Sequence, residues 1–235
     1  MRVLARPASV DKPAYKELES RGVTVIPVDL KGSEDSLVRA LSGVDVVVSA
    51  IKFTELDSEI PLANAAKATG VKRFLQSAMM VVIPPRGVVD LREQVGRPLI
   101  PFLTTWLRLT GLQKEDILSH IKKIRLPYTY LDAGWWYDMG VPSPPSQIAK
   151  DEHMDFLQGQ LGADGNVPIA LAGIDDIGRY VAKVIADPRT LNKRVFVYNE
   201  IRTQNQVYDL VEKLSGETIQ RSYVSDDLYA RWKAR

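Results

Sequence analysis

Cysteine is absent from this 235-residue chain, which excludes disulfide staples, thiolate metal sites and a cysteine nucleophile. Histidine occurs only twice, at His120 and His153, too seldom for a multi-histidine metal centre. Long apolar runs are lacking too: Leu99 to Leu112 is interrupted by Pro101 and Arg108, whereas a membrane helix takes about 20 apolar residues. The opening Met1-Arg2-Val3-Leu4-Ala5-Arg6 has no extended apolar core of the secretory kind, so a cytoplasmic protein is expected. Lys and Arg number 31 against 29 Asp and Glu, and without a long basic run the positive footprint of a nucleic-acid binder is missing. No Gly-x-Ser-x-Gly elbow occurs, which removes a serine-hydrolase reading. What is present, 45% apolar and 26% charged residues, is the composition of an ordinary globular protein.

Short β-branched runs alternate with amphipathic stretches about every 20 residues, the pattern of βαβ units around a parallel sheet. Strands are expected over 2–5, 23–28, 45–51, 73–76, 128–133 and 194–198. Helices are expected over 12–21, from Ser33 to a stop at Gly43, and over 56–69, 114–124, 175–186 and 203–215. Asp45 to Ile51 is a near-continuous apolar run, which predicts a strand buried on both faces. Pro27 suits the end of its strand because it offers no N–H to the ladder. From Met79 to Gln113 the rhythm breaks, with Pro84, Pro85, Gly87, Gly96, Pro98 and Pro101 preventing any long regular element before Phe102.

Several segments, taken in order, resemble the NmrA-like and isoflavone reductase-like family of atypical short-chain dehydrogenases, in its fungal form. They are Leu4-Ala5-Arg6-Pro7-Ala8-Ser9, Gly22-Val23-Thr24-Val25-Ile26-Pro27-Val28-Asp29-Leu30, Ser42-Gly43-Val44-Asp45-Val46-Val47 and Gly70-Val71-Lys72-Arg73-Phe74. Further on come Leu126-Pro127-Tyr128-Thr129-Tyr130, Gly134-Trp135-Trp136, Asp176-Ile177-Gly178-Arg179-Tyr180-Val181 and Asp187-Pro188-Arg189-Thr190-Leu191-Asn192. The resemblance implies an α/β fold: a Rossmann-like doubly wound parallel sheet with a small C-terminal substrate lobe. It implies a single domain over 1–235, its dinucleotide-binding part over 1–133 and its substrate-binding part over 134–235, interleaved with the sheet.

The family's first strand and Gly-x-x-Gly-x-x-Gly turn have no counterpart here, so the chain reads as truncated at its amino-terminal side. In a sheet of order 3-2-1-4-5-6 that strand is central, and its loss opens the middle of the sheet. Each unpaired buried backbone group costs about 1–3 kcal/mol, against a total domain stability of about 5–15 kcal/mol. Three outcomes are open: the strands at 2–5 and 45–50 pair with each other, a second copy or partner chain covers the gap, or the chain is an incomplete gene product. The 19 residues Val95 to Gln113 separate Asp90-Leu91-Arg92-Glu93-Gln94 from Lys114-Glu115-Asp116-Ile117, where the family runs on directly. They read as a translated in-frame intron, with a lid over the substrate cleft as the alternative.

For function the resemblance implies an NADPH-dependent oxidoreductase reducing a small aromatic or conjugated metabolite, in secondary metabolism. The alternatives are an NADP(H)-sensing regulator without turnover, and a cofactor-free form. Lys114 falls at the family's catalytic lysine, where an ammonium can stabilise charge or donate a proton as hydride arrives. Arg6 matches the residue that holds the adenosine 2′-phosphate with its guanidinium fork. Asp29 would line the adenine pocket or cap the following turn. Ser49, Ala50, Ile51 and Ser77 lie at strand ends beside the switch point, where such sheets bind their cofactor. Met79 stands where the family often has an aromatic residue beside the nicotinamide, in Gln76-Ser77-Ala78-Met79-Met80. With Trp135 and Trp136 it would line the substrate side, where rigid apolar faces suit a planar ligand. No metal is expected.

Overall fold

The computed structural model describes residues 1–82, 113–146, 160–162 and 164–223. In chain order the elements are β1 (Arg2–Ala5), α1 (Pro13–Ser20), β2 (Thr24–Pro27), α2 (Glu34–Leu41) and β3 (Val46–Val48). A 3-10 segment at Phe53–Ser58 leads into α3 (Glu59–Ala68) and β4 (Arg73–Gln76), and α4 runs over 113–123. Then come β5 (Tyr128–Ala133), β6 (Trp135–Trp136), β7 (Gln160–Leu161), β8 (Pro168–Ala172), α5 (Ile174–Ala186), β9 (Lys193–Val197), β10 (Glu200–Thr203), α6 (Gln204–Ser215) and β11 (Ser222–Tyr223). The segment Val95 to Gln113 lies outside the described residues, apart from Gln113 at the start of α4. Among the described residues no helix is long and apolar enough to cross a membrane.

The chain divides into two compact units. The first comprises Met1–Ser77, Leu109–Tyr130 and Asp187–Lys193; the second comprises Ala78–Arg108, Leu131–Ala186 and Arg194–Arg235. In the first unit β1 and β2 run parallel, with Val3 opposite Val25. A four-stranded sheet has the order β3-β4-β5-β9, with β3 parallel to β4 and β4 parallel to β5. Leu37 and Leu41 on α2, Leu62, Ala63 and Ala66 on α3, and Ile117 and Ile121 on α4 pack around Phe74 in one core. Helices α2 and α3 stop where Gly43 and Gly70 adopt φ of +71° and +73°, a left-handed turn that glycine makes without strain.

The expected opening in the middle of the sheet is present: β1–β2 and β3–β4–β5–β9 are separate sheets, and among the described residues no strand joins them. β1 and β3 therefore do not pair with each other. One expectation is corrected. The strand at 45–51 shrinks to Val46–Val48, and Val48 is 40% exposed rather than buried on both faces. Paired on one side only, β3 ends its sheet, and its apolar residues lack the cover that a central strand receives. β4, flanked on both sides, is buried along its whole length.

In the second unit β8 runs parallel to β6 and antiparallel to β10, with Trp135 opposite Leu171 and Ile201 opposite Ala170. Buried Asp132 at the end of β5 accepts a two-pronged contact from Arg194, with Nη2 at 3.0 Å from Oδ1 and Nε bonded to Oδ2. Gly134 follows, and its N–H donates to Val197 O at 3.0 Å. A Cβ at Gly134 would sit 2.7 Å from Ala170 O and 2.8 Å from Ala170 C. Only glycine lets β6 pass this close to the backbone of β8. Gly134→Ala is therefore expected to cost about 1–3 kcal/mol through overpacking against backbone that cannot retreat. Urea unfolding of the variant checks this, and an unchanged midpoint would contradict it.

Candidate functional site

The ends of β3 and β4 meet the first turns of α3 and α4 in a polar corner of the first unit. The Ser49 N–H donates to Leu75 O at 2.9 Å, carrying the ladder one residue past β3. Ser77 Oγ donates to Ile51 O at 3.0 Å and holds the loop after β3 against the end of β4. The backbone N–H of Ser77 donates to Glu59 Oε1 at 2.6 Å. One residue earlier, Gln76 Nε2 donates to Lys114 O at 2.8 Å. Consecutive residues of one strand end thus fix a carboxylate on α3 and the first turn of α4.

Helical spacing explains why both charged residues point inward. Glu59 shares its face of α3 with Leu62, Ala63 and Ala66, and Lys114 shares its face of α4 with Ile117 and Ile121, all of them buried. Glu59 is 0% exposed and Lys114 4%. Burial pushes the Glu59 carboxyl up to about 7, against the opposing pull of the Ser77 N–H, the Ser49 hydroxyl and the Lys114 charge. Glu59 Oε2, Ser49 Oγ and Gln76 Oε1 are buried and, among the described residues, without a hydrogen-bond partner. The Ser49 hydroxyl approaches the carboxyl closely enough to favour its charge, but not in hydrogen-bonding geometry. A buried group with unused polar atoms costs free energy unless something satisfies it.

The remaining candidates are distributed as follows. Arg6, after β1, is exposed, and its Nη1 lies 2.8 Å from Glu55 Oε1. An exposed pair of this kind is weak, so the guanidinium can be given up to a stronger anion. Asp29 caps its turn, accepting from the Lys31 N–H at 2.9 Å, and Lys31 Nζ reaches Asp57 Oδ2 at 2.7 Å. Ala50 is exposed and Ile51 half-buried against the core. Met79, Trp135 and Trp136 belong to the second unit and are half-buried. There Trp136 Nε1 is a buried donor without a partner, and the hydroxyl of Tyr137 donates to Glu200 at 2.9 Å. His120 Nε2 lies 2.7 Å from Asn64 Oδ1, and His153 lies outside the described residues. Among the described residues no group of acidic or histidine side chains could hold a metal.

Glu59 and Gln76 are absent from the sequence-based candidates. Glu59 follows Asp57 and Ser58 in what reads as a solvated helix start, the usual place for an acid. The signal that could have found it is its register with Leu62, Ala63 and Ala66, which assigns it to the apolar face.

The model of the NmrA-like family matches residues 1–90 and 109–232, leaving 91–108 outside the match. Asnovolin J 5′,6′-dehydrogenase of Aspergillus novofumigatus is 49% identical over 232 residues, covering 97% of this chain and 64% of that protein. Eugenol synthase 1 of Petunia hybrida is 28% identical, covering 96% of this chain and 70% of its own length. A solved structure of AtPrR2 with NADP+ and (+)pinoresinol matches with a TM-score of 0.72 at 28% identity, covering 95% of this chain and 70% of that one.

The Glu59 carboxyl makes stability depend on pH with a definite sign. Unfolded it ionises near 4.5 and folded near 7, so its contribution is complete below the unfolded value and is lost as pH rises between the two. The loss is about 3 kcal/mol. Glu59→Gln lacks this slope, so urea unfolding should show the variant gaining on the parent by about 2–3 kcal/mol between pH 5 and pH 8. Parallel pH profiles for the two proteins would contradict the assignment.

Proposed function

Because the chain belongs to the NmrA-like family, we propose that it is an NADP(H)-dependent oxidoreductase acting on a small aromatic or conjugated metabolite of secondary metabolism. The observation that carries this reading is Lys114, an ammonium-bearing residue buried at the ends of β3 and β4. The Aspergillus relative, named for dehydrogenation of asnovolin J, and the solved structure with NADP+ and pinoresinol support the same class of chemistry.

The residues present fit the two ends of such a cofactor. Arg6 offers an exposed guanidinium held, among the described residues, by Glu55, suited to a two-pronged grip on the 2′-phosphate. Asp29 stands exposed at the end of β2 for the adenosine side. Ser49, Ala50, Ile51 and Ser77 supply the opposite end, with Ser49 Oγ and Gln76 Oε1 still lacking partners. When bound, NADPH supplies a hydride from nicotinamide C4. Lys114 neutralises the negative charge that develops on the acceptor oxygen and can pass it a proton, leaving a neutral amine. In the second unit taken by itself, Met79, Trp135 and Trp136 are half-buried apolar groups of the kind that suits a planar ligand.

A melting curve tests the reading. NADPH at 100 times its dissociation constant should stabilise the chain by about 2.7 kcal/mol, and NADH should do less because Arg6 has no phosphate to hold. Arg6→Ala should abolish that preference. Lys114→Ala should keep the NADPH shift while ending NADPH oxidation with an aromatic enone as probe. No shift with NADPH, or undiminished turnover by Lys114→Ala, would overturn the assignment.

A further inference from the structure

Two acids of the 3-10 segment at Phe53–Ser58 reach the end of the small β1–β2 sheet. Glu55 Oε1 lies 2.8 Å from Nη1 of Arg6, the first residue after β1. Asp57 Oδ2 lies 2.7 Å from Nζ of Lys31, in the turn after β2. β1 and β2 are parallel neighbours, and the Val28 N–H donates to Ala5 O at 2.9 Å just past the last pair. The two cations therefore stand at the same end of one sheet. A regular 3-10 turn points residues two apart in directions about 120° apart. This segment breaks at Glu55, with φ −131° and ψ 20°, and both carboxylates meet a cation. All four side chains stay open to water, at 38% to 61% exposure. Asp29 adds a third acid, one oxygen of which accepts from the Lys31 N–H. Taken together, these five groups are net negative.

We propose that Arg6 and Lys31 form a two-cation site for a phosphate monoester, and that Glu55 and Asp57 occupy it as internal competitors until the phosphate displaces them. A phosphate monoester carries nearly two negative charges at neutral pH, so it replaces both carboxylates with little change in charge at the cations. Exposed ion pairs are weak, whereas a phosphate offers the guanidinium two oxygens at once and the ammonium a third. An uncharged hydroxyl in the same place cannot displace the acids and leaves both pairs closed. With the acids displaced, Arg6 and Lys31 outweigh Asp29 and the site becomes net positive. Glu55 and Asp57 thus lower affinity for every anion and reserve the site for one that engages both cations, which is selectivity by competition. The identity of the ligand, the 2′-phosphate of NADP(H), rests on the oxidoreductase reading, whereas the two ion pairs and their competition with phosphate do not.

The test is calorimetry on the full chain and on its Glu55→Gln, Asp57→Asn double variant, with 2′,5′-ADP and 5′-AMP as probes that differ by the 2′-phosphate. Neutralising both acids should tighten 2′,5′-ADP by about three- to tenfold at low ionic strength, and 5′-AMP by much less. Lys31→Met should weaken 2′,5′-ADP by about threefold or more. In that background Asp57→Asn should bring little gain, because this acid acts through Lys31. An unchanged 2′,5′-ADP affinity in the double variant, a gain matched by 5′-AMP, or a Lys31→Met chain that binds 2′,5′-ADP as the parent does overturns the proposal. NADPH and inorganic phosphate separate it from the functional reading. NADPH bound equally by parent and double variant keeps that reading and overturns the competition. Inorganic phosphate bound more tightly by the double variant, with NADPH bound by neither chain, supports the competition and overturns the reading.

Discussion

The 2.6 Å hydrogen bond from the Ser77 N–H to the Glu59 carboxyl joins the end of the most buried strand to the start of α3. An acid placed there gains from the positive end of the helix, but it is also shut away from water, and its second oxygen goes without a partner. A hydrophobic residue of similar size would pack without that cost. A charged side chain in such a place favours one arrangement of its neighbours, because few others give its oxygens any donor. The ends of β3 and β4, the loop through Ile51 and the first turn of α4 are all hydrogen-bonded into that arrangement.

This anchorage matters more because the sheet around it is divided. β1 and β2 form one small sheet and β3 ends another, so the first unit is not held together by a continuous ladder. Side chains join the halves instead. Leu4 and Val28 share a core with Val47 and Leu56, and Arg2 Nη1 donates to Ser42 O at 2.7 Å just beyond α2. Packing and a few long polar side chains supply the cohesion that strand pairing supplies in an unbroken sheet. The division also leaves the ends of β1 and β3 accessible, with Arg6, Ala50 and Val48 all exposed near them.

Legibility in the sequence followed the length and regularity of each element. α2 and α5 carry full turns of apolar spacing with acids at the start, and both were readable within a residue or so. β4 and β5 were readable as compact apolar strands. β6, β8 and β10 were not: β6 has only two residues, β8 carries a single β-branched residue at Ile169, and Ile201 is the one apolar residue of β10. The requirement at Gly134 was invisible because it comes from the backbone of β8, some 36 residues away in sequence at Ala170. Within the candidate site, Lys114 emerged only through family resemblance, since a lysine at a helix start is ordinarily solvated. Glu59 was concealed by acidic neighbours, and only its register against Leu62, Ala63 and Ala66 separates it from them. Gln76 acquires its role from a long-range bond to α4 that no local pattern encodes.

On the proposed function, the corner at the ends of β3 and β4, with Ser77 and Lys114, is the reactive end of a dinucleotide site. A crystal structure of the chain with NADP+ tests that most directly. If the proposed function holds, the nicotinamide ring lies against Ser49–Ile51 and Ser77, within reach of the Lys114 side chain. A ring bound away from all of these residues, or a Lys114 turned away from it with Glu59 drawn out to solvent, would contradict it.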